Sequence, residues 1–108
     1  MLNALKNLLL HKRPPAPTDA LPFHPSPEVK AAIHADGIVL LHLSRGIIFS
    51  SNRVGAMIWN DTVQHRSIYQ MTEAISHAFA VEAQTAHRDV TAFIDQLAAE
   101  GLLVTGGR

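Results

Sequence analysis

The chain has no cysteine among its 108 residues. That excludes disulfide staples, thiolate metal sites, iron–sulfur ligation and a cysteine nucleophile. It accords with a reducing compartment, and a cytoplasmic protein is the expectation. There is no excess charge of either sign: Lys plus Arg is 9, Asp plus Glu is 9, and the formal net charge is zero. The overall balance therefore gives no reason to expect a polyanionic partner. No apolar run approaches the roughly 20 residues of a membrane span. The beginning of the chain does not follow a signal-peptide plan, because Lys6 interrupts the apolar stretch and His11-Lys12-Arg13 follows it instead of preceding it. No proline follows Pro27. What is present is apolar: 47% hydrophobic against 17% charged residues. That suffices for one buried core, in a chain too short for two.

All six prolines lie between Pro14 and Pro27. Proline removes a backbone donor and fixes φ, so residues 14–27 are expected to be an extended connector. Residues 1–13 stand apart from it. Leu2, Leu5, Leu8 and Leu9 have helical spacing, and Lys6, Lys12 and Arg13 add charge without any acid. This reads as a short amphipathic segment suited to a second copy, a partner or an anionic surface. The folded domain is placed at 28–105, and Gly106-Gly107-Arg108 is read as a tail.

Within the domain, Glu28–His34 reads as a strand with Val29, Ala31 and Ile33 on one face. Asp36-Gly37 marks a turn. Ile38–Leu43 follows as a strand apolar enough to be covered on both faces. Ser44-Arg45-Gly46 makes another turn, and Ile47–Phe49 a short third strand, which completes an antiparallel meander. The period then changes. A helix over 53–61 is capped by Ser51 or Asn52, with Gly55 and Ala56 small beside its apolar face, and Trp59 is read as core. Residues 61–66 are polar and read as a loop. A second helix over 67–79 opens with Ser67 and Gln70 at capping-box spacing. A third begins near a cap at Thr85, buries a stripe of Val90, Phe93, Ile94 and Leu97, and stops at Gly101. Leu102–Val104 is an extended exit. Three strands then three helices define an α+β fold, winged helix-turn-helix-like.

The search for chemistry is mostly negative. None of the seven histidines pairs at the i, i+4 spacing of a helical zinc motif, and they read as surface imidazoles. Ser44, Ser50 and Ser51 stand outside any Gly-x-Ser-x-Gly. Asn52-Arg53-Val54-Gly55 opens a helix without a glycine-rich phosphate loop. Asp89 and Asp95 do not share a helix face, and Asp89, read as lying in the first turn of helix three, is accounted for by the helix dipole. Residues 86–100 carry Arg88 against Asp89, Asp95 and Glu100, a net charge of −2, which repels phosphates from a would-be recognition helix. The third strand is different. Ile47, Ile48 and Phe49 carry none of the lysines, prolines or inward charges that blunt an edge. Such an edge can accept an extended peptide by strand addition, or be covered by residues 1–13 or a second copy.

The ordered set of motifs resembles the PqqD-like family. It comprises the run from Asp36 to Trp59 with Asn52 ahead of Gly55-Ala56, the Ser67…Ile75…Phe79-Ala80-Val81 helix and its end, the Asp89-Val90…Phe93-Ile94…Leu97 helix, and the Gly101-Leu102-Leu103 exit. The likeness spans roughly residues 28–104. It departs from quinone-pathway members in the loop Asn60–Arg66, which lacks glycine, and in the exit, which lacks tryptophan.

The resemblance implies a peptide chaperone: a recognition element for ribosomally made, post-translationally modified peptides. Such domains bind the leader region of a precursor peptide and present it to a modifying enzyme, a radical SAM protein or a leader peptidase. The leader adds to the third strand and lies against helix three. On this chain the implied contacts are Gly46, Ile47, Ile48, Phe49 and Ser50 along the strand, with Phe93 and Leu97 on the helix and Asp89 and Gln96 as polar rim. No catalytic residue, metal or cofactor is implied. Two other readings stand beside it: a small winged-helix DNA-binding regulator, and an oligomerisation module such as a homodimer joined through the first segment or an exposed strand.

Overall fold

The computed structural model describes residues 21–105. The segment 1–13, half of the connector and the last three residues lie outside that range. Eight elements follow in order: β1 (Phe23–Pro25), β2 (Val29–His34), β3 (Gly37–His42), β4 (Ile47–Ser51), α1 (Arg53–Val63), α2 (Ile68–Phe79), α3 (Ala83–Ala99) and β5 (Leu103–Thr105). The meander β2-β3-β4 is antiparallel, and three helices follow it, as expected for the α+β class.

The register explains the burial. Ala31 faces Leu40 and Leu40 faces Phe49, while Val39 faces Ser50 and Leu41 faces Ile48. Directly opposed residues share a sheet face. Ile38, Leu40 and His42 therefore point under the helices and are buried, whereas Val39 and Leu41 on the other face are only half-covered. β2 lies at the far edge of the sheet, and five of its six residues are exposed. Ile38 and Leu40 meet Ile58 and Trp59 of α1, Met71 and Ile75 of α2, Ala86, Val90, Ile94 and Leu97 of α3, and Leu102 and Leu103 of the exit in one core. Each large aliphatic side chain there contributes about 1.5–3 kcal/mol.

The local signals work where partners are close in sequence. Asn52 caps α1, its Oδ1 accepting from Gly55 N–H at 3.1 Å. The Ser67–Gln70 capping box closes in both directions, at 3.1 and 2.9 Å. Gly101, with φ +77°, ends α3: Leu102 N–H donates to Leu97 C=O and Gly101 N–H to Ala98 C=O, the paired bonds of a Schellman motif.

Four local readings differ from the structure. β4 and α1 each run two residues further than expected. Thr85 is not a cap: α3 opens at Ala83 after Glu82, which makes no side-chain capping bond. The cause is the brevity of the α2–α3 turn, in which Ala80 takes the left-handed conformation at φ +54° and Val81 N–H returns to Ser76 C=O. The proline-rich stretch is extended from Phe23 to Pro25, but it pairs with β5, Phe23 opposite Thr105 and Pro25 opposite Leu103. A proline is tolerated there because a two-stranded ribbon consists of edges. Finally, His42 is not a surface imidazole. It is 5% exposed, and its Nδ1 accepts from the Arg45 backbone N–H at 3.3 Å inside the β3–β4 turn.

Candidate peptide-binding groove

β4 pairs with β3 on one side, and among the described residues no strand pairs with its other side. Its side chains alternate. Ile47, Phe49 and Ser51 lean under the helices and are half-buried, while Ile48 and Ser50 point to the opposite face. Ile48 is 71% exposed. Gly46 lies in the turn before the strand, with φ +67° and its N–H donating to His42 C=O at 2.8 Å.

Beside the Asn52 end of this edge is a groove of about 310 Å³. One wall is Ser51 and Asn52, and the floor is Val54, Gly55 and Ile58 of α1. The other wall is Asp89, Ala92, Phe93 and Gln96 of α3. Those four positions are spaced i, i+3, i+4, i+7, a single helical stripe. A second stripe, Ala86, Val90, Ile94 and Leu97, faces the core. The two stripes are neighbours on one helix and do different work.

Three of the four helix residues expected at a peptide site lie on the groove stripe: Asp89, Phe93 and Gln96. Leu97 does not. It has no exposed surface and belongs to the core, where the Schellman turn folds Leu102 back towards it. Asp89 also loses its dipole explanation. With α3 opening at Ala83, the first turn carries no acid, and Asp89 sits in the second turn on the groove wall. Ser51, Asn52, Val54, Gly55, Ile58 and Ala92 were not singled out as site residues. The i, i+3, i+4, i+7 pattern through Asp89 would have pointed to Ala92, and the small Gly55 one turn into α1 to the close approach described next.

Two contacts hold β4 and α3 at a fixed separation. At one end Phe93 meets Phe49 edge-on, with ring centroids 5.8 Å apart. There Gly55 leaves the necessary room: a methyl on it would overlap the Ser51 hydroxyl and come within 2.9 Å of Phe93 Cζ. At the other end Arg45, in the β3–β4 turn, donates from Nη1 to the Glu100 carbonyl at 3.1 Å. This places a cation on the C-terminus of α3, where the helix dipole favours one. The absence of a side chain on Gly101 leaves space for that guanidinium.

The fold and this groove define an α+β domain that offers an open strand edge beside a helix stripe. The chain belongs to the PqqD family: the family model described as "Coenzyme PQQ synthesis protein D (PqqD)" matches residues 37–103. Two solved structures are similar to it. "TbiB1 in Complex with the TbiA(beta) Leader Peptide" is 30% identical, with a TM-score of 0.71, over 79% of this chain and 99% of that one. "Lasso peptide synthetase B1 complexed with the leader peptide" is 25% identical, with a TM-score of 0.71, over 78% and 99%. No curated protein matches the chain at a significant level. Among the described residues no helix is long and apolar enough to cross a membrane.

Proposed function

We propose that this protein is a non-catalytic adaptor that binds the leader region of a ribosomally made precursor peptide and presents it to a modifying enzyme, of the radical SAM or peptidase class. The leader adds as a strand to the outer edge of β4, over Ile47–Ser51, and its alternate side chains enter the groove against Asp89, Ala92, Phe93 and Gln96. The observation that carries this reading is the open β4 edge beside the α3 stripe, in a chain 30% identical to a protein whose structure holds a leader peptide. Main-chain pairing supplies affinity with little demand on sequence, and side-chain pockets select. Holding the precursor beside its enzyme raises effective concentration, so no group on the adaptor needs to touch a reacting bond.

The test is an amide NMR titration of the full chain with the leader segment of a candidate precursor peptide from the same gene cluster. Shifts concentrated on Gly46–Asn52 and on the Asp89–Gln96 stripe are expected. A leader that binds no tighter than its scrambled sequence, or that shifts only β2 and the outer sheet face, refutes the reading.

A further inference from the structure

The groove wall carries one ionisable side chain. Ser51, Asn52 and Gln96 are neutral polar groups, Val54, Ile58, Ala92 and Phe93 are apolar, and Asp89 is the sole charge. Asp89 is exposed, and no ion pair engages it among the described residues, where the one such pair is Arg66–Asp61. Its position in the second turn of α3 removes the dipole as its reason for being there. The small Ala92 beside it leaves the apolar floor open up to the carboxylate. The result is an apolar trough ending in a negative charge. A lysine or arginine fits that chemistry: its methylene stem lies on apolar surface while its head reaches a charged partner.

The register indicates which peptide position this is. Ser51 faces the helix side of the sheet, opposite Ile38. A strand added outside β4 lies about 4.8 Å further out, and the residue opposed to Ser51 projects to the same side. That side chain enters the groove. We infer that the peptide bound by this protein carries a lysine or arginine at the position opposite the Ser51 end of β4, read by Asp89 beside the apolar surface of Val54, Ile58 and Phe93. This rests on the β4 reading proposed above. It names a cationic residue as the specificity element of the ligand, set two residues along the strand from a position that faces Phe49.

The experiment selects displayed random dodecapeptides on the full chain and, in parallel, on Asp89→Asn and Asp89→Lys. Asp89 is exposed, so both variants are expected to keep their thermal unfolding midpoints. Amide spectra of the labelled chain then locate each selected peptide. The expected result is that peptides shifting Phe49–Asn52 carry Lys or Arg at a fixed distance from an apolar residue. Replacing that cation by glutamine weakens binding to the unmodified chain about 1.5- to fivefold, the range of an exposed ion pair. The same replacement has no effect on Asp89→Asn, and Asp89→Lys prefers glutamate at that position. Peptides that occupy β4 with no cationic preference, or whose preference survives in Asp89→Asn, overturn the inference and leave the β4 reading standing. Preference for a neutral donor such as tyrosine that is lost in Asp89→Asn overturns it as well. Peptides that bind elsewhere on the chain refute the β4 reading itself.

Discussion

Gly55→Ala separates helix propensity from close packing. In a helix, alanine is more favourable than glycine by about 1 kcal/mol. Judged on propensity alone, the variant is stabilised. The structure opposes this. The added methyl would overlap the Ser51 hydroxyl, approach Ser51 Cβ to 2.6 Å and Phe93 Cζ to 2.9 Å. Neither neighbour can yield freely: Ser51 is held in register against Ile38, and Phe93 is packed edge-on against Phe49. Overpacking of this kind costs about 1–3 kcal/mol. The net expectation is a loss of about 1 kcal/mol.

Urea unfolding followed through Trp59 measures it. Trp59 is the single tryptophan and is 5% exposed, so its emission reports global unfolding. At a slope of about 1.5 kcal/mol/M the midpoint falls by roughly 0.7 M. Ser51→Gly removes both serine atoms from the overlap, so Gly55→Ala costs less in that background, with a coupling of about 0.5 kcal/mol or more. A Gly55→Ala chain stabilised by about 1 kcal/mol, with no coupling to Ser51, would refute the reasoning. The contact of β4, α1 and Phe93 would then not be tight, and the groove would have no fixed width.

Three further changes test the rest of the fold. Ala80 holds a left-handed conformation that costs a non-glycine residue about 1–2 kcal/mol; after the greater chain entropy of glycine is counted, Ala80→Gly is expected to stabilise by about 0.5–1 kcal/mol in the same urea assay. The Thr72 hydroxyl is buried without a hydrogen-bond partner among the described residues, and Thr72→Val, which keeps the shape and removes the stranded oxygen, is expected to raise the thermal midpoint through a gain of about 1 kcal/mol. Burial raises the Asp61 carboxyl above its ordinary value of 3.8, against a smaller opposing effect of Arg66 at 3.5 Å. The native state therefore holds the proton more tightly than the unfolded chain, and the stability penalty of the ionised form is relieved as pH falls through the raised value towards 3.8. Asp61→Asn is expected to be more stable than the unmodified chain at pH 7, with the difference shrinking across that acid window; a constant difference at all pH values would contradict it.

What could be read from the chain in advance, and what could not, divides by the range of the interaction. The Ser67–Gln70 box, the Asn52 cap and the Gly101 stop depend on neighbours within a few residues, and their chemistry is visible in the order of residues. β1 was missed because three residues containing a proline have no periodicity, and their partner β5 is some 80 residues away. The start of α3 was missed because Ala80, a residue with no special preference for positive φ, closes α2 and shortens the turn. The assignment of Leu97 to a peptide surface failed for a related reason. Phe93 and Leu97 are i, i+4 neighbours, and a helical wheel places both on one broad apolar face. Only the packing of β4 on one flank of α3 and of α2 and the exit on the other decides that Phe93 borders the groove and Leu97 the core.

That division has a consequence for how such a site can vary. Asp89, Ala92 and Gln96 face the groove and support none of the core, so substitutions there change the groove wall without loosening the domain. Phe93 is the exception, since its ring both borders the groove and fixes Phe49. Truncating it combines a cavity cost of about 3–5 kcal/mol, if it behaved as a fully buried ring, with the loss of a groove wall; being half-buried, it falls below that range. If a peptide adds to β4 as proposed, affinity from the strand backbone and selectivity from these three solvent-facing positions are separable. On the reading proposed above, changes at 89, 92 or 96 alter the ligand, while the contacts through Gly55 and Arg45 hold the strand edge against the helix.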